Sequence, residues 1–324
     1  MTTWLIRRLI QALFVLLAMS VIVFIGVHVI GNPVDILISP EADQAERARV
    51  ISALGLDQPL WKQYLLFVGD ALHGDLGRSF VFNEPALRLI AQRMPATMEL
   101  AVTAVLMSMF IGIPLGLYAG LYPEGGLART IMAGSILGFS LPTFWVGLML
   151  IMVFAVQLGW LPSTGRGATA ELFGIQWSFL TLDGLRHLAL PALNLSLFNI
   201  SLVLRLTRAG VRETLPMDFV KFARAKGLTP ARVIFVHVLK NIMIPVVTVV
   251  GLELGSTIAF AVVTESVFAW PGMGKLIIDS INVLDRPVIV AYLMMIVLLF
   301  VTINLVVDVL YTVLDPRVRL ETKG

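Results

Sequence analysis

Long apolar stretches separated by shorter polar segments are the main pattern along this chain. A helix needs about 20 apolar residues to cross a bilayer, because the hydrocarbon offers no water to backbone polar groups. Glu253 is the only Asp, Glu, Lys or Arg within these stretches. They predict six transmembrane helices, over residues 9–30, 100–121, 130–161, 188–204, 242–264 and 288–307.

Two of the stretches differ from a simple crossing. The third is longer than one straight span and carries Pro142 in its middle. We therefore expect it to be tilted, kinked or continued along the membrane surface. The fourth is only 17 residues long, so its ends are the hardest to place.

Composition places the chain among membrane proteins. Apolar residues make up 58% and charged residues 14% of its 324 residues, which a soluble domain would not show. The absence of cysteine excludes disulfides, iron–sulfur clusters and thiol catalysis from this chain. We expect no nucleic-acid binding, since basic and aromatic residues are not interleaved. We expect no metal site either, since the four histidines lack the spacing of metal ligands; they are His28, His73, His187 and His237.

Basic residues indicate the orientation of the helices. If the N-terminus lies inside the cell, the inner segments hold 14 of the 24 Lys and Arg residues, and the longer outer segments hold the other ten. Lys and Arg are retained on the cytoplasmic side. Both termini are therefore predicted to be cytoplasmic, in agreement with the basic residues near the two ends, which are Arg7, Arg8, Arg317, Arg319 and Lys323.

The largest outer segment, residues 31–99, contains a predicted amphipathic helix. From Leu60 to Leu72 the apolar positions recur at helical spacing, with Lys62, Gln63 and Asp70 between them. A glycine turn, 73–77, is expected to end it. The helix either packs over the bundle or forms a lid or docking surface for an external partner; the candidate contacts are Trp61, Tyr64, His73 and Asp75. A turn-rich hinge at the membrane surface is predicted at 270–274.

The inner loop 205–241 carries eight basic residues against two acidic ones. Asp218 is expected to cap a short helix over 219–226, and Gly227 to end it in a left-handed conformation. Thr229 then caps a second helix with Pro230 at its first position. The loop is thus predicted to contain a short helix, a break and a second helix that leads into the fifth span.

A helix of about eight residues is marginal in water and needs a surface to pack against. Phe219, Phe222 and Ala223 fall on one side at i, i+3 and i+4. Two interpretations stay open on physical grounds. The helix lies on lipid with its basic residues on anionic headgroups, or it docks into a soluble partner.

At these residues the sequence resembles the binding-protein-dependent ATP-binding cassette (ABC) importer permeases, and most closely their dipeptide/oligopeptide branch. The family signature is Glu-Ala-Ala, three residues, Gly, nine residues, then Ile-x-Leu-Pro. Ala223, Gly227 and Leu239 match it in register. The positions that depart from it are Lys221, Phe222, His237 and Lys240, and 223–228 resembles the peptide branch's own version.

Other short motifs extend the resemblance over nearly the whole chain. Their order and spacing, rather than any single motif, make it specific. They are Arg7-Arg8, His73-Gly74-Asp75-Leu76-Gly77, Arg205-Leu206-Thr207-Arg208, the stretch 241–248, Thr264-Glu265 with Trp270-Pro271-Gly272, and Asp315-Pro316-Arg317.

The resemblance implies an all-α integral protein of the bacterial inner membrane with six transmembrane helices and the type I ABC importer permease fold. It implies a permease subunit that forms, with a second permease, the path for di- or oligopeptides or similar small solutes. Two ATP-binding subunits and a periplasmic solute-binding protein are the other expected partners, besides membrane lipid. ATP and Mg²⁺ are expected on the ATP-binding subunits, so we expect neither a cofactor nor catalytic residues in this chain.

By the same resemblance the short helix of the inner loop is the coupling helix, which sits in a cleft of the ATP-binding subunit. The residues expected to couple to that subunit are Phe219, Lys221, Phe222, Ala223, Arg224, Ala225, Lys226, Gly227, Leu228, His237 and Leu239. Regions are predicted as an N-terminal end with the first helix (1–30), a periplasmic segment (31–99), a permease core (100–311) and a cytoplasmic tail (312–324).

Polar and small residues within the spans have two possible roles. A carboxylate in the bilayer must face protein or water, so Glu253 either lines the solute path or hydrogen-bonds a neighbouring helix. Gly251 and Gly255 beside it permit close helix approach. Close packing is also expected for the regularly spaced residues Gly112, Gly116 and Gly120.

Alternative functions fit the sequence less well. Members of the same family import other solutes, such as nickel chelates, glutathione or sugar oligomers, and the sequence does not choose among them. An ion-coupled secondary transporter would show internal repeats and more carboxylates at mid-membrane. An intramembrane enzyme would need a nucleophile with its base or a metal cluster, and no such motif is present.

Overall fold

The structure is a computed structural model, and it describes residues 2–29, 43–53 and 57–314. The expected features at 315–317 and the basic residues Arg317, Arg319 and Lys323 lie outside these residues. The described helices in chain order are α1 (Thr2–Val29), α2 (Gln44–Ala53), α3 (Leu60–Leu72), α4 (Ala86–Leu121), α5 (Gly126–Ser140), α6 (Thr143–Leu150), α7 (Leu182–Thr214), α8 (Asp218–Ala225), α9 (Pro230–Arg232), α10 (Leu239–Val267), α11 (Met273–Asn282) and α12 (Arg286–Leu314).

Helices α6 and α9 continue into π-helical segments, Ile151–Gln157 and Val233–Val238. The chain forms two compact units. The first unit comprises Met1–Pro95 with Gly272–Thr302, and the second comprises Ala96–Pro271 with Ile303–Gly324. Both α4 and α12 therefore contribute residues to each unit.

Five of the six predicted spans are confirmed as helices of sufficient length and apolarity. They are Ile6–Gly26, Ala86–Leu121, Leu182–Thr214, Pro230–Val267 and Arg286–Val309. In place of the third predicted stretch are two helices, Gly126–Ser140 and Thr143–Gln157, bent by 109°. The described chain thus has five candidate spans, or six if the bent pair crosses as one.

The bend occurs where the sequence predicted a kink. Proline disfavours the helical conformation of the residue before it, and Leu141 is extended, with ψ 138°. Pro142 itself is extended, with ψ 130°, and Thr143 begins the next helix. Residue pair 141–142 therefore separates two helices, which is a larger break than a tilt within one span.

In the first unit the predicted amphipathic helix is confirmed over Leu60–Leu72. The glycine turn is confirmed as well, with positive φ at Gly74 and Gly77. The segment that follows is tied to the loop between α11 and α12 through Asp285, whose fully buried carboxylate accepts hydrogen bonds from the Ser79 hydroxyl and, at 3.1 Å, from the Phe80 amide. Helix α2 was not predicted.

In the second unit α4 and α7 pack closely along the predicted glycine series. A side-chain carbon at Gly116 would lie 2.5 Å from the Leu204 carbonyl oxygen, and one at Gly112 or Gly120 would lie within 2.9 Å of a valine on α7. Close packing of these glycines is confirmed. Gly251 is likewise closely packed, since a side-chain carbon added there would lie 3.0 Å from Val307 Cγ2.

The all-α class is confirmed, with one small addition. The segment between α6 and α7 contains an antiparallel hairpin of strands β1 (Ala170–Leu172) and β2 (Ile175–Trp177). Phe173 and Gly174 form its two-residue turn, both with positive φ, the backbone that tight hairpins require. The fold is helical with this one small hairpin among the described residues.

Candidate functional site

The inner loop folds as predicted, with helix α8, a break and a second helix. Asp218 is the first residue of α8 and not its N-cap, which is Met217. The predicted capping role of Asp218 is therefore wrong, because its carboxylate instead pairs with Lys221 Nζ at 2.9 Å. The negative charge of Asp218 in the first turn still stabilises the helix through its favourable interaction with the helix dipole.

Gly227 ends α8 in the predicted left-handed conformation, with φ +74°. Its amide donates to the Arg224 carbonyl at 2.9 Å, and the Leu228 amide donates to the Ala223 carbonyl at 3.4 Å. A side-chain carbon at position 227 would meet no atom within 4 Å. Backbone strain is therefore the local cost of substituting this glycine.

The second helix also begins as predicted. The Thr229 hydroxyl accepts a hydrogen bond from the Arg232 amide at 3.4 Å, and Pro230 occupies the first helical position. From there the chain stays helical through Val233–Val238 into α10. His237 and Leu239 are half-buried and lie within this continuous helix, and Leu239 packs against the buried cluster that includes Val220 and Ala223.

The sequence predicted that Phe219, Phe222 and Ala223 share one face of α8, and this prediction is wrong for Ala223. Ala223 points inward with Val220, and both are buried. Phe219 and Phe222 are exposed instead, with 41% and 62% of their surface accessible. Since Val220 and Ala223 are three residues apart, they share the inner side of the helix. The buried residues around them are Val211, Val233, Val238 and Ile242.

The outer side of α8 combines aromatic rings with cations. Lys226 Nζ lies 4.6 Å from the centre of the Phe222 ring, a distance that permits a cation–π contact. Lys221, Arg224 and Ala225 are exposed beside it. A rigidly held surface with exposed aromatic and basic side chains suits contact with another protein.

Glu253 lies on α10, half-buried, and bonds within its own helix. Its Oε2 accepts a hydrogen bond from the Ser256 hydroxyl at 2.5 Å. The side chain borders a narrow gap between α4, α7 and α10, to which Ser108 and Asn199 also contribute. Its hydrogen-bond partner in this structure is thus on α10 itself, and the other side chains that line the gap come from α4 and α7 as well as α10.

Asparagine side chains on α7 join that helix to α10. Asn194 Nδ2 donates to Thr264 Oγ1 at 3.0 Å, and Asn199 Nδ2 donates to Thr257 Oγ1 at 2.8 Å. This row of polar contacts was not predicted from the sequence, although asparagines within a short apolar stretch are a usable signal. Across the described residues, no three His, Cys, Asp or Glu side chains form a group that could hold a metal ion.

A buried ion pair at the start of the second unit was also missed. Arg166 Nη2 lies 2.7 Å from Glu99 Oε2, and the other carboxylate oxygen accepts the amides of Ser178 and Phe179 at 2.6 and 2.9 Å. The Arg166 guanidinium also donates to the Gln176 carbonyl at 2.6 Å. The pair therefore fixes the hairpin segment to α4. Glu99 escaped notice because it directly precedes an apolar stretch.

Trp270 is a buried anchor, which corrects the predicted surface hinge at 270–274. Its side chain is fully buried, and Nε1 donates to the Ala96 carbonyl at 2.9 Å. Nearby, the fully buried Glu265 accepts a hydrogen bond from the Thr97 hydroxyl at 2.6 Å. Helix α11 begins at Met273, so only a short connection remains between the helices.

The four outer candidates differ in accessibility. Trp61 is 65% exposed, whereas Tyr64 turns inward, with its hydroxyl 2.8 Å from Ser20 Oγ. His73 and Asp75 are exposed in the glycine turn, where Asp75 accepts the Gly77 amide at 2.9 Å. Three of the four are thus available at a surface, and Tyr64 packs against α1.

Comparison with known proteins shows similarity over nearly the full chain. The sequence is 38% identical to the di/tripeptide transport system permease protein DppB of Pseudomonas aeruginosa, with 98% of this chain and 99% of the relative covered. It is 35% identical to the dipeptide transport system permease protein DppB of Escherichia coli, and 38% to a glutathione transport system permease protein GsiC of the same species, with the same coverage.

Solved structures agree on the fold. An inward-facing structure of the MetNI methionine ABC transporter contains a chain with a TM-score of 0.52 and 16% identity, covering 70% of this chain and 96% of that one. A second crystal form of that transporter gives 0.51. At this identity the likeness concerns the fold alone.

Two family descriptions match the sequence directly. Residues 1–101 match the N-terminal region of binding-protein-dependent transport system membrane components. Residues 112–320 match the binding-protein-dependent transport system inner membrane component. The matches confirm the resemblance inferred from the loop motifs. This chain therefore belongs to the family of binding-protein-dependent transport system inner membrane components and is a permease subunit of an ABC importer.

Proposed function

We propose that this chain forms, together with a second permease, the path by which small peptides cross the inner membrane. A periplasmic binding protein delivers the solute, and two separate ATP-binding subunits supply the energy by hydrolysing ATP. The relatives named for di/tripeptides, dipeptides and glutathione share 35–38% identity with nearly the whole chain. Peptides of two or three residues, or closely similar molecules, are the solute class that these names have in common.

The proposal includes a topology of six spans with both termini in the cytoplasm. The bent pair α5 and α6 then counts as one broken crossing, consistent with its combined apolar length. The distribution of Lys and Arg supports the same orientation. In this arrangement α8 lies on the cytoplasmic side, while α3 and the β1–β2 hairpin belong to outer segments, of which α3 packs against α1.

Helix α8 is the proposed coupling helix, and the arrangement of its two sides carries this proposal. Val220 and Ala223 fix the inner side to the bundle, while Phe219 and Phe222 stay exposed. Burying a phenylalanine side chain in a partner is worth about 1.5–3 kcal/mol. Two such rings on a helix that moves with α7 and α10 would transmit a displacement of an ATP-binding subunit to the spans.

On the periplasmic side, Trp61, His73 and Asp75 are the proposed contacts with the binding protein. All three are exposed in the first unit. Tyr64 has a different proposed role, since its hydroxyl bonds Ser20 and its ring contacts Phe24 at 5.4 Å between centroids. It holds α3 on α1.

The test of the coupling role uses Gly227 and Phe222. Valine at 227 would be strained at φ +74° and is expected to shift the end of α8 at a cost on the order of 1–2 kcal/mol. Gly227→Asn is the matched control, because asparagine tolerates the left-handed region. Phe222→Asp places a charge on the proposed contact surface.

The measurements are recovery of the ATP-binding subunits with the purified permease, and peptide-stimulated ATP hydrolysis in proteoliposomes. We expect Gly227→Val and Phe222→Asp to lower both by an order of magnitude, since about 1.4 kcal/mol changes an affinity tenfold, and Gly227→Asn to retain both. The permease alone should hydrolyse no ATP. Wild-type recovery and stimulation in both damaging variants would contradict the coupling role of α8.

A further inference from the structure

An apolar cavity of about 350 Å³ lies within the first unit, between α1, α3 and α12. Its lining is almost wholly aliphatic or aromatic, and Ser20 supplies the one side-chain hydroxyl. That hydroxyl is already engaged by Tyr64 and by the Leu17 carbonyl at 2.8 Å. The cavity therefore presents no free polar group to a ligand and suits a hydrocarbon chain.

Residue spacing explains why the cavity exists. On α1 the lining residues Leu13, Leu16, Leu17 and Ser20 recur at i, i+3, i+4 and i+7, so they form one face of the helix. Toward one end this face is closed by aromatic contacts, with the Phe24 ring 5.4 Å from Tyr64 and 6.0 Å from Phe67.

Toward the other end, α3 presents smaller side chains. The residues there are Val68 and Ala71, and Gly74 follows in the turn. Because alanine and glycine fill little volume, a gap stays between α3 and the neighbouring helices. Met294, Met295 and Leu298 of α12 form the opposite wall, and methionine adapts readily to flexible apolar ligands.

The cavity opens at the surface of the protein beside α1 and α12. Leu13 and Leu17 on α1 and Leu298 on α12 are each 45–58% exposed, and Leu72 at the edge of α3 is 82% exposed. Both α1 and α12 contain candidate spans, and their exposed leucines suit contact with the hydrocarbon of a bilayer. Lipid is therefore the occupant that best fits this opening.

We propose that this cavity, lined by α1, α3 and α12, binds one acyl chain of a bilayer phospholipid. The chain enters between the two spans and packs under the amphipathic helix α3. Burial of its methylene groups supplies the affinity. The lipid thereby fills the gap beside Ala71 and supports the position of α3, which the Ser20 and Phe24 contacts fix only near Tyr64 and Phe67.

The site is tested in the purified complete transporter by native mass spectrometry after delipidation in mild detergent. Ala71→Trp fills the cavity from α3. Leu66→Trp is the matched control, because Leu66 lies on the same helix, is 52% exposed and does not line the cavity. Met295→Trp narrows the cavity from α12 and serves if Ala71→Trp accumulates poorly.

The wild type and Leu66→Trp are expected to retain a phospholipid on the permease, and the filled variants to lose it. Added lipid with a photoreactive group in the acyl chain should label residues 67–76 in the wild type and not in the filled variants. Equal lipid retention in all variants would overturn the proposal. So would a loss of the second permease from the filled variants with lipid retained, which would assign the cavity to a protein contact.

Discussion

Gly116 lets α4 and α7 come into close backbone contact, and its substitution by alanine should therefore destabilise the protein. A side-chain carbon at residue 116 would lie 2.5 Å from the Leu204 carbonyl oxygen and 2.7 Å from Thr207 Cβ. Since a backbone carbonyl cannot rotate away, Gly116→Ala must push α4 and α7 apart. Overpacking of this kind costs about 1–3 kcal/mol, against which alanine regains at most about 1 kcal/mol of helix propensity.

Gly134→Ala is the matched control for this substitution. Gly134 also lies inside a helix, α5, but an added carbon there meets no atom within 4 Å. Only the propensity gain applies, so stability should stay equal or rise slightly. The two alanine variants thus differ in packing and share the change in backbone entropy.

Thermal unfolding of the purified permease distinguishes Gly116→Ala from Gly134→Ala. It is measured as the fraction of protein that stays monodisperse after heating. A destabilisation of about 1 kcal/mol corresponds to roughly 2–4 °C in Tm for chains of about 150–250 residues, which sets the upper scale for this longer chain. We expect Gly116→Ala to lower the Tm by several degrees and Gly134→Ala not to lower it. Equal Tm values would refute the inference that α4 and α7 are in backbone contact at Gly116.

Three further predictions concern topology and buried charge. Single cysteines replacing Trp61 or Phe173 should react with an impermeant thiol reagent on cells stripped of their outer membrane, and one at Gly227 should not; the reverse pattern would overturn the orientation. Glu253→Gln should lower the yield of assembled transporter more than uptake per complex, so normal yield with lost uptake would show that this side chain lines the path instead. Glu99→Gln removes the charge that pairs with the Arg166 guanidinium, which is 15% exposed and keeps its hydrogen bond to the Gln176 carbonyl, so the cost should not exceed the roughly 3–5 kcal/mol of breaking a fully buried pair; adding Arg166→Leu should recover part of the lost Tm. A double variant no more stable than Glu99→Gln would count against this ion pair.

Helix positions were largely predictable because hydrocarbon imposes a strong length and composition signal. The fourth span was underestimated, as residues 188–204, because its helix, Leu182–Thr214, continues at both ends through charged residues such as Asp183, Arg186 and Arg205. The break at Pro142 was predictable in kind from backbone sterics. Its angle of 109° was not, since tertiary packing sets the direction in which the chain continues.

Side-chain roles at helix ends were less predictable. Periodicity placed Phe219, Phe222 and Ala223 together, and only the packing of α8 on α7 and α10 shows that Ala223 turns inward. Trp270 lies in a sequence rich in turn residues, yet its indole is buried by residues distant in the chain, including Ala96. Such long-range contacts leave no mark in local composition. The hairpin turn at Phe173 escaped prediction for a different reason, because its strands are only three residues long and show no clear alternation.

The most direct test of the account asks which protein touches Phe222. The chain has no cysteine, so Phe222→Cys can carry a single photoreactive maleimide in the assembled transporter. We predict a cross-linked product with an ATP-binding subunit, and none from Phe173→Cys, whose side chain is 93% exposed in the hairpin proposed to lie outside. Cross-links to lipid alone from position 222, or to an ATP-binding subunit from position 173, would contradict the proposal that α8 couples this permease to ATP hydrolysis.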